Sequence, residues 1–250
     1  MTATQTKRKR ATRGSGEQLR VEIIAATKEL LANAGSSNAV SIRAVAERVG
    51  VTSPSIYLHF ADKDALLDAV VVDVFAELDA AMVAAGESVV GPLPRLRAFG
   101  LAYVQFAVAH PEHYRIATMD PCPKPDSALD EVLASAAFDH FRTVVNECIA
   151  AQIFAGDPLQ ITLDLWAAAH GIAALLIVKP YLPWGTVDEA ADRVLCAAAL
   201  GHAAAGLVGG EPTTGAITEW LTAQRKRARR ASAAASASRP GHRERGARSQ

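Results

Sequence analysis

The sequence has few of the residues that cross-link a protein or anchor it in a membrane. Its three cysteines, Cys122, Cys148 and Cys196, have no paired spacing, so neither a disulfide framework nor a zinc module is predicted. The longest run without a charged residue, Val194 to Gly210, has 17 residues. A helix that spans a bilayer needs about 20 apolar residues. We therefore expect a cytoplasmic protein without a membrane contact.

The N-terminus is not predicted to be a secretory signal, because no apolar stretch follows its basic residues. Half of the 250 residues are hydrophobic, which is enough to bury a core without a structural metal or disulfides. A chain of this length forms one large domain or two smaller ones.

The formal net charge of zero conceals an uneven distribution of charge. Residues 1–20 carry a net charge of +5, residues 21–210 carry −11, and residues 221–250 carry +8. An acidic body with two basic ends is typical of a chain that meets a polyanion through its ends. Residues 211–250 are rich in Ala, Ser and Arg, so we predict a largely disordered tail there. A purely solubilising role for this tail is equally compatible with its composition.

Apolar residues recur at helical spacing along most of the chain, and no alternating strand pattern is found, so we predict an all-α fold. The first helix is predicted near 17–34 with Gly35 as its stop. Three further helices begin with Ser41, Ser53 and Asp62 as N-caps, and Gly50 ends the first of these. Later helices are predicted near 93–109, 111–118, 127–155, 158–178 and 187–208, with a Pro-rich loop at 120–126.

The segment from Ser41 to Phe60, SIRAVAERVGVTSPSIYLHF, has the spacing of a helix-turn-helix. Ala46 is small where a second helix must cross closely, Gly50 takes the turn, and Ile56 reaches back to the first helix. The exposed positions of the second helix are then short polar residues followed by Tyr57 and His59. Such groups reach base edges and phosphates in a major groove. An ordinary helical hairpin with a solvated polar face has the same spacing.

This segment, followed by Asp62-Lys63-Asp64-Ala65-Leu66-Leu67, closely resembles the DNA-binding domain of the tetracycline-repressor (TetR) family. The resemblance covers roughly residues 17–77. It implies base contacts from Arg43, Ser53, Pro54 and Ser55, and phosphate contacts from Ser41, Thr52, Tyr57, His59 and Lys63. Ser53 is shorter than the amide-bearing residue that the founding member of the family has there, so no operator sequence is carried over. The basic N-terminal tail is expected to lie along the phosphate backbone or in the minor groove.

The resemblance also implies a regulatory domain. The predicted organisation begins with a basic tail over 1–16 and a helix-turn-helix domain over 17–77. A long helix joins this domain to a helical ligand-binding and dimerisation domain over 78–210, which the C-terminal tail follows. Trp166, His170 and Gly171 are similar to the Trp-His-Gly signature of one TetR subgroup. The helices near 158–178 and 187–208 are apolar with many small residues, so we expect them to form a four-helix interface in a homodimer. A buried helix pair within one subunit is the alternative.

Aromatic residues with a few polar groups in the middle helices predict a pocket for an unknown small-molecule effector, although a plain core has the same composition. The candidate ligand-binding residues are Phe99, Tyr103, Phe106, His110, Tyr114, Phe138, Phe141, Trp166 and His170.

The sequence shows no catalytic constellation, cofactor motif or metal cluster, so we predict no enzyme, no cofactor and no metal. His110 and His113 have a spacing that permits a metal, but a helix cap is the preferred interpretation. The expected function is a ligand-responsive repressor that binds a palindromic operator as a homodimer. Two alternatives stay open: a DNA-binding or architectural protein that uses its basic tails without sensing a ligand, and an enzyme or lipid-binding domain with an incidental hairpin.

Overall fold

The computed structural model describes residues 15–34, 40–118, 135–208 and 213–237. Within these ranges the chain forms ten helices and no strand, as the all-α prediction requires. They are α1 (Ser15–Ala34), α2 (Ile42–Val49), α3 (Ser53–Tyr57), α4 (Lys63–Gly86), α5 (Pro92–Ala109), α6 (Pro111–Thr118), α7 (Ala136–Ala150), α8 (Pro158–Val178), α9 (Val187–Val208) and α10 (Thr214–Ala237).

The angle between α2 and α3 is set by a left-handed residue at the turn. Gly50 has φ 77° and ψ 33°, and its N–H donates to the carbonyls of Ala46 and Glu47 at 3.0 and 3.2 Å. The N–H of Val51 also donates to Ala46, at 2.9 Å. Ile56 of α3 is fully buried against this turn. A residue with a Cβ is disfavoured at such a φ, so glycine is the fitting residue.

The long helix α4 contacts both halves of the molecule. It packs against α1 on one side and against α5 and α7 on the other. Its buried residues recur every four positions, at Leu66, Val70, Val74, Leu78 and Met82. Asp62 caps the helix as predicted, because its side chain accepts a hydrogen bond from the N–H of Ala65 at 2.8 Å. One apolar stripe of α4 therefore packs against both α1 and the helical body.

The helical body is arranged around α5, which contacts α4, α6, α7, α8 and α9. Helices α8 and α9 also pack against each other. By length and composition alone, both are apolar enough to cross a bilayer, a property that core helices of soluble proteins share. Of the most apolar window of each helix, 39% is buried in α8 and 11% in α9, so the described part of the chain leaves the outer faces of both helices uncovered.

Three details differ from the predicted boundaries. Thr52, not Ser53, is the N-cap of α3, and Pro54 lies in its first turn. Helix α7 ends at Ala150 rather than near 155, because Gln152 adopts φ 58° and stops the helix. Helix α10 forms where a largely disordered tail was predicted, since its Ala and Arg residues are strong helix formers even without a core to pack on.

Several predictions concern residues outside the described ranges. They are the N-terminal tail before Ser15, the stop at Gly35, the Pro-rich loop at 120–126 with Cys122, the helix start at 127–134, and the end of the C-terminal tail at 238–250.

We predict that Gly50→Ala destabilises the protein, because the left-handed conformation costs a residue with a Cβ about 1–2 kcal/mol. Urea unfolding measures the change. Gly215→Ala is the matched control, since Gly215 lies in α10 and a Cβ built there would be 3.9 Å from Oγ1 of Thr213, an ordinary contact distance. That variant should be neutral or slightly more stable. Equal stability of the Gly50 variant and the wild type would show that the turn does not require glycine.

Candidate functional site

The nine residues predicted to contact DNA all remain accessible to solvent. Ser41, Arg43, Thr52, Pro54 and Tyr57 are exposed, and Ser53, Ser55, His59 and Lys63 are half-buried. The Ser41 side chain accepts a hydrogen bond from the N–H of Ala44 at 3.2 Å and caps α2. The structure therefore places the predicted residues on the surface of α2, α3 and the start of α4 without burying any of them in the core.

Helix α3 offers short polar groups on a rigid support. The hydroxyls of Thr52 and Ser55 are 2.9 Å apart, which orders both at the start of the helix. The support comes from Ile56 and Phe60, which are both buried. The side chain of Tyr57 is 52% exposed. A helix start with ordered hydroxyls suits contacts to base edges and phosphates.

Leu58 belongs to this surface, although the sequence analysis did not single it out. Its side chain is 85% exposed, between Tyr57 and His59. An exposed leucine between two polar residues that are predicted to contact DNA suits apolar contact with sugars or thymine methyl groups. Leucine is usually a core residue, so the sequence suggests that Leu58 is buried. The structure shows that α3 ends before Leu58 and leaves its side chain exposed.

The first turn of α1 lies beside the same surface. A Cβ built on Gly16 would be 3.9 Å from Cε1 of His59. The guanidinium of Arg20 lies 5.0 Å from the centre of the Phe60 ring, a cation–π contact that packs α1 on the turn before α4. The N-terminal end of α1 therefore lies next to His59, one of the predicted DNA-contact residues.

Lys28 joins α1 to two other helices. Its side chain is almost buried, and its Nζ pairs with Asp73 at 2.8 Å and Glu77 at 2.6 Å on α4. Burial lowers the pKa of Lys28, but the hydrogen bonds and charges of the two carboxylates outweigh burial and raise the pKa above its ordinary value. The carbonyl of Lys28 accepts a hydrogen bond from Nε2 of His113 on α6 at 2.9 Å.

Four of the predicted ligand-binding residues form one hydrogen-bonded network in the helical body. Trp166 Nε1 donates to the Tyr103 hydroxyl at 3.0 Å. The Tyr103 and Tyr114 hydroxyls are 3.0 Å apart, and the Tyr114 hydroxyl lies 2.6 Å from Nδ1 of His170. The network joins α5, α6 and α8.

The chemistry of the groups fixes one end of this network. An indole N–H only donates, so the Tyr103 oxygen accepts from Trp166. The Tyr103 hydroxyl also lies 3.5 Å from Nδ1 of His170, so both tyrosine hydroxyls are within hydrogen-bond distance of this nitrogen. Burial lowers the pKa of His170, raises the pKa of Tyr103 to about 12 and raises the pKa of Tyr114 as well. All four side chains are therefore neutral near pH 7.

A small cavity of about 30 Å³ lies next to this network. Tyr103, Trp166, Phe138 and Phe141 contribute to its walls, together with residues of α4. The cavity holds about one water molecule, too little for an organic ligand without rearrangement.

The remaining predicted ligand residues lie elsewhere. Phe99 packs against Gly86, where a Cβ would be 2.4 Å from the Phe99 ring. Phe106 contacts the ring of His110, whose centre is 5.0 Å away. The rings of His110 and His113 are stacked 5.9 Å apart. In the described ranges no group of three or more His, Cys, Asp or Glu side chains is placed to hold a metal ion.

A larger cavity of about 390 Å³ lies between α5 and α9, on the other side of Phe141. Among the predicted residues, Phe141 alone contributes to its wall. Aromatic composition does not indicate this cavity, because the space lies beside small residues such as Ala199 and Ala203.

Two family models match the chain. Residues 23–70 match the bacterial regulatory proteins of the tetR family, and residues 96–198 match the tetracyclin repressor-like C-terminal domain. The two matched segments together cover more than half of the chain. No curated protein matches it significantly.

Solved structures share the fold over most of its length. A protein of unknown function from Rhodococcus sp. RHA1 is 30% identical, with 74% of this chain and 95% of that chain covered and a TM-score of 0.64. A TetR-like transcriptional regulator from Rhodococcus sp. RHA1 is 20% identical, with 80% and 100% covered and a TM-score of 0.54. RolR in complex with resorcinol is 18% identical, with 76% and 89% covered and a TM-score of 0.56.

We predict that protonation of His170 destabilises the folded protein. Its folded pKa lies below the ordinary value of 6.5, so between these two values the unfolded chain binds more protons and the free energy of unfolding rises with pH. Stability should therefore fall as pH decreases below about 6.5. His170→Gln retains an acceptor for Tyr114 but does not titrate, and its urea-unfolding midpoint should fall less steeply. Identical pH profiles for the two proteins would contradict this assignment.

Proposed function

Since the chain belongs to the TetR family of bacterial transcriptional regulators, we propose that it is a ligand-responsive repressor that binds a palindromic operator as a homodimer. As a member of this family it is a DNA-binding regulator and not an enzyme. The observation that carries the finer proposal is the accessible surface of α2, α3 and the start of α4, on which none of the nine predicted contact residues is buried.

The contacts to DNA are divided by chemistry. Arg43, Ser53, Pro54 and Ser55 face the bases in our proposal, because their groups suit base edges and methyl groups. Ser41, Thr52, Tyr57, His59 and Lys63 bind phosphates through hydroxyl, imidazole and ammonium groups. The basic residues before Ser15 add sequence-independent attraction to the same duplex.

The proposed homodimer is supported by the uncovered faces of α8 and α9. Leu175, Val178 and Leu207 are exposed large apolar side chains on these helices. A Cβ built on Gly171 or Gly201 meets no heavy atom of another described segment within 4 Å. The inner faces already pack within one subunit, so the outer faces are free for a second copy, and the two glycines permit close approach. Two recognition helices then reach successive major grooves, about 34–36 Å apart.

Ligand response is supported by the position of α6 between the two halves. His113 on α6 contacts Lys28 of α1, and the adjacent Tyr114 belongs to the buried hydroxyl network. A structure of the same fold, RolR, was solved in complex with resorcinol. We propose that an effector favours a dimer whose recognition helices have the wrong spacing, to an extent set by its differential affinity for the two states.

We also assign the chain to the Trp-His-Gly subgroup, on Trp166, His170 and Gly171. The proposed division is a helix-turn-helix domain over 17–77 and a regulatory and dimerisation domain over 78–210, in a cytoplasmic protein.

A second candidate is a DNA-binding or architectural protein that uses its basic ends without sensing a ligand. Helix α10 supports it, because Arg225, Lys226, Arg227, Arg229 and Arg230 are all exposed. The two candidate functions differ in how the affinity for DNA depends on salt concentration and on DNA sequence. A steep salt dependence without preference for any sequence favours the basic ends.

We predict that Lys63→Ala weakens binding to DNA fragments selected from the encoding genome, nearly equally for all sequences. Loss of one phosphate contact should reduce the slope of log K against log salt by about 1. Arg142→Ala is the control, because it removes the same charge from the exposed face of α7. Titrations at several salt concentrations measure both slopes. Equal slopes for the Lys63 variant and the wild type would remove Lys63 from the interface.

We predict that Leu175→Glu separates the homodimer, because a carboxylate would be buried unpaired in the proposed interface. Sedimentation velocity measures the mass of the particle. Val72→Glu introduces the same charge at an exposed position of α4 and should leave the dimer intact. A Leu175 variant that sediments as the wild-type dimer would place the interface elsewhere.

A further inference from the structure

The cavity between α5 and α9 has the size of a site for a small organic molecule. Its volume of about 390 Å³ lies within the range of about 300–1,000 Å³ that ligand pockets occupy. Leu96 and Leu195 contribute apolar walls from α5 and α9, and Phe141 and Leu165 contribute walls from α7 and α8. Leu93, Cys196 and Leu200 of its lining are exposed, so the cavity opens to solvent and a ligand can enter it.

The space exists because small residues lie where large ones would fill it. Ala199 and Ala203 are one turn apart on α9, and Gly100 faces them from α5. A Cβ on Gly100 would be 2.9 Å from Cδ1 of Leu195, so even an alanine there would force Leu195 to move. The cavity is thus produced by the side-chain sizes of two packed helices.

Charge at the cavity is balanced within the protein. Arg97 and Cys196 are the polar residues of the lining. Arg97 Nε donates to Oδ1 of Asp192 at 2.5 Å, and Cys196 Sγ donates to the same oxygen at 3.4 Å. Asp192 therefore offsets the positive charge of Arg97, and a charged ligand would lose its hydration without gaining a free counter-charge.

We propose that this cavity is the effector site and that it binds a neutral, largely apolar small molecule. The inference rests on the proposed ligand-responsive function and names the chemical class of its ligand. Phe141 contributes to the walls of both this cavity and the small one beside Tyr103 and Trp166. Phe141 thus limits how far a ligand extends toward the hydroxyl network.

Two fluorescent probes with the same ring system test the charge preference. N-phenyl-1-naphthylamine is neutral, and 1-anilinonaphthalene-8-sulfonate differs from it by an anionic group. Titrated into the full-length protein, the neutral probe should saturate at one molecule per chain and bind at least tenfold more tightly than the anion. Non-saturating fluorescence, or equal affinity for the two probes, would overturn the proposal.

Variants that fill the cavity with a larger side chain test whether the probe binds there. Ala203→Phe and, separately, Ala199→Phe place a ring in the cavity and should weaken the neutral probe at least tenfold. Ala84→Phe, at an exposed position of α4, should leave its affinity unchanged. Phe141→Ala should join the two cavities, so that the variant protein binds longer neutral n-alkanols than the wild type. Displacement of the neutral probe measures this binding. Circular dichroism checks that each variant is folded; unchanged probe binding in either folded filling variant would place the site elsewhere.

Binding and regulation are measured separately. In the same samples, the neutral probe should lower the affinity for genome-selected DNA in the wild type and not in the filling variants. If the probe binds in the cavity but DNA affinity stays constant, the proposed ligand-responsive function fails and the assignment as effector site fails with it. If DNA affinity responds to neutral compounds equally in the filling variants, the ligand-responsive function stands and this site is wrong.

Discussion

A buried lysine on α1 adds ionic and hydrogen-bonded contacts to the apolar packing that joins α1 to the rest of the molecule. Lys28 of α1 pairs with Asp73 and Glu77 of α4, and its carbonyl accepts a hydrogen bond from His113 of α6. An ammonium removed from water is costly unless it is paired, so separation of α1 from α4 would leave the buried Lys28 without its carboxylate partners. Any movement of α6 must either break the His113 hydrogen bond or carry α1 with it. Because Tyr114 follows His113 directly, changes in the buried hydroxyl network lie one residue from this junction.

The fold was largely predictable where backbone chemistry decides it. Gly50 permits the left-handed turn, Asp62 caps α4, and proline begins α5, α6 and α8, so these boundaries agree with the sequence analysis. The failures have local causes. Gln152 is a left-handed residue other than glycine, which no composition rule anticipates. Helix α10 forms through intrinsic propensity in a segment whose composition predicted disorder.

The candidate sites were predictable to different degrees. The exposed surface around Tyr57 could be predicted, because the spacing of a helix-turn-helix determines which positions are exposed. The exposure of Leu58 was not predicted, because an apolar residue suggests burial in the core. Aromatic composition identified the residues of the hydroxyl network but also included Phe99, which packs elsewhere. The larger cavity could not be predicted, because empty space depends on how α5 and α9 pack around Gly100 and not on any single residue type.

The central claim is that two copies of the chain present α3 to one duplex with two-fold symmetry. Hydroxyl-radical footprinting on a genome-selected fragment tests it most directly. The account predicts two related half-sites in inverted orientation, protected on one face of the duplex with centres one helical turn apart, about 10–10.5 base pairs. Protection of a single unrepeated site, or uniform protection without a preferred sequence, would contradict it.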